Sequence, residues 1–159
     1  MKVELKSIKV MNSLSDETTC FTAKIYINGK AAGHAENRGC GGSTHYQFND
    51  HAIGQLFETY AASLPPTLFS YGGQDHSFPS TGESLIDSLL NDHLKAKDAA
   101  RLDKMAAKEK ARFAAAGLIT LKMKSGDQLL FVGCKPGAEA TAASRMNEKY
   151  KTTWTWETI

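Results

Sequence analysis

The sequence predicts an α+β fold: an antiparallel β-meander, a short helix, one long helix, and a C-terminal β-hairpin, helix and strand. Three observations carry this reading. Alternating side chains run into the dipeptide Asn28-Gly29, a strong hairpin signal because a two-residue type I′ turn needs positive φ at both centres. Ile53, Leu56, Phe57, Tyr60, Ala61 and Leu64 recur at helical spacing and stop at Pro65-Pro66, which a helix does not continue through. From Ser84 onward neither proline nor glycine interrupts the chain until Gly117, a residue type suited to the position after a helix C-terminus.

Taken in order, residues 3–14 alternate as a first strand, and Ser13 to Glu17 supply a polar turn. Residues 18–27 form a second strand that turns Phe21, Ala23, Ile25 and Ile27 to one face, predicted to be the core face. After the Asn28-Gly29 turn, residues 30–37 return as a third strand, with Gly33 placed for a bulge. A three-stranded meander is expected.

Asn49 or Asp50 caps the short helix. Residues 65–82, rich in Pro and Gly with Phe69, Tyr71 and Phe78 scattered among them, read as a loop too long for an ordinary connection and therefore either functional or mobile. The long helix, opened by Thr81 or Ser84, would extend about 45 Å at roughly 1.5 Å per residue. Against an expected radius of gyration of roughly 15 Å, it crosses or overhangs a compact domain. Residues 118–123 and 129–132 flank Lys124 to Gln128 as a second hairpin. A helix opens at Pro136 and runs to Tyr150, and Trp154 and Trp156 alternate on a last strand. Two tryptophans on one face of a terminal strand are expected in the core.

With 159 residues, the chain reads as a single domain that buries a sizeable core unaided. It has no run of about 20 apolar residues, and its first residues alternate charged and apolar side chains rather than forming a signal peptide. Cys20, Cys40 and Cys134 are odd in number and far apart, which fits a reducing compartment better than a disulfide framework. A cytoplasmic protein without membrane association is expected. A net charge of +2 is too small to imply nucleic acid by itself.

The segment Arg38-Gly39-Cys40-Gly41-Gly42-Ser43-Thr44 offers backbone N–H groups, two hydroxyls and a cation, the ingredients of a phosphate or carboxylate cradle. Its candidate anion-binding residues are Arg38, Gly39, Gly41, Gly42, Ser43 and Thr44. It lacks the Gly-Lys-Ser/Thr ending of a P-loop, and structural turning of the chain is the competing explanation. Cys40, His45 and His51 match no zinc spacing, so no metal and no cofactor is expected. Asp75-His76 has the chemistry of an acid–base pair, and Cys40 beside Arg38 that of a thiolate, but neither comes with a placed partner in the sequence. No catalytic residue is assigned.

The long helix is the second candidate. Lys95, Lys97, Arg101, Lys104, Lys108, Lys110 and Arg112 outnumber Asp98, Asp103 and Glu109; a solvated face is the ordinary explanation. If the helix overhangs, its apolar residues need a cover. Lys97, Arg101, Lys104, Met105, Lys108, Arg112 and Phe113 are the candidate partner-binding residues, with a protein partner or self-association ahead of nucleic acid.

Through Glu17-Thr18-Thr19-Cys20-Phe21-Thr22-Ala23, Asn28-Gly29-Lys30 and Asn37-Arg38-Gly39-Cys40-Gly41-Gly42, the N-terminal quarter of the chain, and no more of it, resembles small bacteriophage and prophage accessory proteins. The resemblance brings no catalytic residue. It implies a small protein acting by binding host or phage components in the host cytoplasm, with inhibition of a host defence system among the functions such proteins have. The alternative is a small enzyme or nucleotide- or anion-binding protein using residues 38–44.

Overall fold

The computed structural model describes the backbone of all 159 residues and every side chain except those of Phe69 and Tyr71. The α+β class is as expected, and the chain divides into two compact units, Met1–Leu94 and Lys95–Ile159, where the sequence reads as one domain.

The first unit is built on a four-stranded antiparallel sheet in the order β1-β2-β3-β4. Strand β1 spans Val3–Val10 and slips register against its neighbour between Lys6 and Lys9, where Ser7 takes a φ of 52°. The predicted first strand therefore stops short of residue 14, and Asn12–Leu14 forms a single 3-10 turn. Strand β2 (Phe21–Ile27) buries Phe21, Ala23 and Ile25 and exposes Thr22 and Lys24. Asn28 and Gly29 have φ of 50° and 83°, the left-handed pair that a type I′ turn requires.

Strand β3 (Lys30–Asn37) matches the expected span, and its bulge falls on Ala32, which has no partner between Ala31↔Tyr26 and Gly33↔Ile25. Gly33 serves a different purpose from the one expected. A Cβ there would lie 2.2 Å from the Gln47 carbonyl oxygen, so only glycine lets a fourth strand approach. That strand, β4 (His45–Phe48), turns the expected three-stranded meander into a four-stranded one.

Asp50 caps helix α1 (His51–Ala62), its carboxylate accepting from the Ala52 N–H at 2.8 Å. The helix buries Phe57 and Ala61. Residues 65–82, expected as a loop, contain a hairpin of β5 (Thr67–Tyr71) and β6 (Gln74–Phe78). Its turn is Gly72-Gly73, with φ of 61° and 78°. Two adjacent residues free to take positive φ supply the same turn chemistry as Asn-Gly, a signal hidden by the surrounding prolines.

Helix α2 spans Gly82–Ala115, its residues 82–94 in the first unit and 95–115 in the second. Thr81 and Ser84 cap it reciprocally: the Ser84 N–H donates to Thr81 Oγ1 at 3.1 Å and the Thr81 N–H to Ser84 Oγ at 2.9 Å. Ile86 and Leu90 join Phe21, Ala23, Ile25, Ala35 and Phe57 in the core of the first unit. At the far end Gly117 has a φ of 68°, and the Leu118 N–H reaches back to the Phe113 carbonyl at 2.9 Å.

The second unit has a three-stranded antiparallel sheet, β8-β7-β9, from β7 (Ile119–Ser125), β8 (Gln128–Cys134) and β9 (Thr155–Thr158). Helix α3 (Glu139–Tyr150) begins later than Pro136 because Pro136-Gly137 makes a turn, closed by the Ala138 N–H on the Lys135 carbonyl at 3.0 Å. Leu121, Met123, Cys134, Ala143 and Trp154 form the core. Trp156, expected beside Trp154 in that core, is 43% exposed: Trp154 precedes the strand, while Trp156 sits on its edge member β9.

Candidate functional site

Asn37, at the end of β3, organises the glycine loop. Its Oδ1 accepts from Thr18 Oγ1 and from the Gly39 N–H, both at 2.8 Å, and its Nδ2 donates to the Gly42 carbonyl at 2.9 Å and to Thr44 Oγ1 at 3.3 Å. The Gly39 carbonyl in turn accepts from the N–H groups of Asp16, Glu17 and Thr18. Gly39 and Gly41 have φ of 87° and 79°, a backbone conformation that strains any other residue; Gly39 also has no room for a side chain, whereas the neighbour of Gly41 is the movable end of the Glu17 side chain. A Cβ on Gly39 would lie 2.2 Å from the Leu14 carbonyl oxygen, and one on Gly41 would lie 2.0 Å from Glu17 Oε2.

A cleft of about 500 Å3 opens beside this loop, lined by Gly42, Thr44, Asn37 and, from the facing segments, Asp16, Glu17, Glu83 and Asp87. The loop's donors are directed to the chain's own acceptors: the Thr44 N–H to Glu83 at 2.8 Å, Thr44 Oγ1 to Asp87 at 2.7 Å, and the Gly41 N–H to Thr18 Oγ1 at 3.3 Å. Burial pushes the Asp87 carboxyl up, opposed by its bond from Thr44 and reinforced by the neighbouring Glu83 charge. Four carboxylates around the opening repel a phosphate. Of the six candidate anion-binding residues, Gly42 and Thr44 line the cleft, Gly39 is buried in the turn, and Arg38, Gly41 and Ser43 are exposed. This geometry favours the structural reading of the glycines.

The other sequence candidates stay apart from the cleft. Asp75 and His76 lie on β6, where Asp75 accepts from Ser70 across the hairpin, and neither lines the cleft. Cys40 is exposed, with its Sγ 3.7 Å from the Arg38 carbonyl. Among the described residues, no group of three or more His, Cys, Asp or Glu side chains is placed to hold a metal ion.

On α2, Lys97, Arg101, Lys104 and Lys108 are exposed, and so are Leu102 (38%) and Met105 (48%). Arg112 pairs with Glu109 at 2.7 Å and lies over the Phe113 ring. Phe113 itself is not a free partner-binding residue. Its ring rests on Gly133, where a Cβ would come within 2.2 Å of it, so it belongs to the packing of the second unit. The charges divide unevenly as well: residues 1–94 carry 6 Lys and Arg against 10 Asp and Glu, a net of −4, and residues 95–159 carry 13 against 7, a net of +6. The whole-chain value of +2 conceals this, and counting by segment would have found it.

A second concavity, about 800 Å3, lies between β4 and α1 and is lined by Tyr46, Gln47, Phe48, His51, Gly54, Gln55, Glu58 and Thr59. Tyr46 and Phe48 pack edge-on with Phe57 beneath it, and the Tyr46 hydroxyl donates to Glu58 at 2.6 Å. Burial, then that bond and the Glu58 and Glu83 charges, hold the Tyr46 phenol well above its usual range. The sequence signal for β4 was the alternation of His45-Tyr46-Gln47-Phe48, too short to separate from a loop.

Among the described residues no helix is long and apolar enough to cross a membrane. Comparison with protein-family models, with curated proteins and with solved structures gives no match.

Proposed function

We propose that this chain is a non-enzymatic accessory protein of the phage type that acts by binding a macromolecular partner, and that the basic stretch of α2 is its contact surface. The observation that carries the reading is the exposure of Leu102 and Met105 within a stretch, residues 95–115, that bears seven cations against three acids. Exposed apolar side chains framed by one sign of charge supply the buried centre and the steering rim of an interface. The partner is then a protein with an acidic face, and inhibition of a host defence component is the specific role proposed. A second copy of the chain and a nucleic acid are the competing partners.

The experiment compares wild type with a Leu102→Glu, Met105→Glu double variant by sedimentation equilibrium and by affinity capture from bacterial lysate. The expected result is one captured protein that the variant loses, with both proteins melting alike by tryptophan fluorescence. Capture unaffected by the variant would remove α2 from the interface. Concentration-dependent dimerisation lost in the variant would point to self-association, and salt-sensitive retention of oligonucleotide to nucleic acid. The alternative of a nucleotide- or anion-binding protein is read in the same samples: stabilisation by phosphate, ATP or a cyclic dinucleotide that Arg38→Ala abolishes would favour it over α2.

A further inference from the structure

Strand β4 is the last member of its sheet, so one side of its backbone is unpaired, and the positions that face outward can be identified. The Asn49 N–H donates to the Ala32 carbonyl at 2.8 Å, and the Gln47 carbonyl points at Gly33. Odd-numbered residues thus direct their backbone groups toward β3. Because these directions alternate along an antiparallel strand, Tyr46 and Phe48 direct theirs outward. Thr44, the next even position, confirms the parity, since its N–H leaves the sheet to meet the Glu83 carboxylate. Among the described residues, neither Tyr46 nor Phe48 makes a backbone hydrogen bond beyond the sheet.

The concavity between β4 and α1 runs along this free edge. Its lining includes three consecutive strand residues, whose side chains alternate between faces, so the strand edge itself forms part of the wall. The opposite wall is one flank of α1: His51, Gly54, Gln55, Glu58 and Thr59. Glycine at position 54 brings the helix close, as a Cβ there would lie 3.3 Å from the Phe48 ring. Glu58 and Glu83 gather at the Tyr46 end, in a unit whose net charge is −4.

The geometry points to a peptide-docking groove in which an extended, basic segment of a partner protein adds as a fifth strand along Tyr46 and Phe48. Main-chain bonds to an open sheet edge supply affinity in this mode, and alternate side chains entering the groove supply selectivity. One set of alternate side chains lies against the aromatic floor, and a Lys or Arg reaches Glu58. The short β4 limits the addition to two residues' worth of backbone bonds, which places the weight on the side-chain contacts. The groove does not rest on the α2 contact proposed above and stands without it.

The test uses a fluorescein-labelled heptapeptide alternating lysine with valine and phenylalanine, its charge-reversed glutamate counterpart, and a version N-methylated at alternate amides, each titrated against the full chain by anisotropy. Saturable binding of the basic peptide is expected, with about a tenfold or greater loss on N-methylation, on charge reversal of the peptide, and in Glu58→Lys. Amide exchange on the wild-type complex should slow at Tyr46 and Phe48. Strand addition is overturned if the basic peptide shows no binding at millimolar concentration. It is equally overturned if binding is indifferent to N-methylation and to Glu58→Lys, the signature of diffuse charge attraction, or if the protected amides lie elsewhere.

Discussion

The two units differ in how they treat polar groups taken out of water. In residues 1–94 the buried Asn37 has every hydrogen-bonding atom of its side chain engaged, and the buried Thr44 is bonded through both its N–H and its hydroxyl. In residues 95–159 the buried Thr120 Oγ1 and Trp154 Nε1 have no partner among the described residues. A buried polar group costs stability when orphaned and contributes specificity when satisfied. The first unit therefore uses polar burial to fix one loop geometry, whereas the second tolerates it as a residue of its packing.

The sharpest way to break this comparison is Asn37→Ala. It leaves the Gly39 N–H and the Thr18 hydroxyl without their acceptor and the Gly42 carbonyl without its donor, and should cost about 3 kcal/mol at roughly 1 kcal/mol per lost or orphaned partner. Amide exchange in β2 and β3 reads this directly. A variant as stable as wild type would show that the loop does not depend on Asn37.

The converse substitution in the second unit, Thr120→Val, replaces an unpaired hydroxyl by a methyl of nearly the same shape. Stabilisation of about 1 kcal/mol is expected. Both tryptophans, Trp154 and Trp156, lie in this unit, so a denaturant titration followed by tryptophan fluorescence isolates it. Destabilisation would mean that the Thr120 hydroxyl is not idle.

The smallest expected effect concerns charge within the satisfied network. Glu83 and Asp87 are like charges four residues apart on α2, an arrangement that costs about 0.2–0.5 kcal/mol on a helix. Asp87→Asn keeps an acceptor for Thr44 and removes the repulsion, so it should raise the melting temperature slightly at neutral pH. The sign of the pH dependence follows from the raised Asp87 pKa. The folded state holds the proton more tightly than the unfolded one, so this group's contribution falls as pH rises from the ordinary carboxylate value through the folded one. The Asn variant should lack that slope, and an unchanged slope would assign it to another carboxylate.

Local chemistry made much of the fold legible in the sequence. Positive φ at Asn28-Gly29, the Asp50 and Thr81–Ser84 caps and Gly117 after α2 all act over a few residues, so their meaning does not depend on distant contacts. Strand β4 and the β5–β6 hairpin were missed for opposite reasons, one being too short and the other masked by prolines. Three things only the tertiary structure decided. It brought Glu83 and Asp87 from α2 to the loop at Thr44, turning an apparent anion cradle into a cleft lined with carboxylates. It set Phe113 against Gly133, removing it from the free surface. It left the edge of β4 open beside α1. Each depends on which residues distant in sequence meet in space, and periodicity and spacing along one chain carry no record of that.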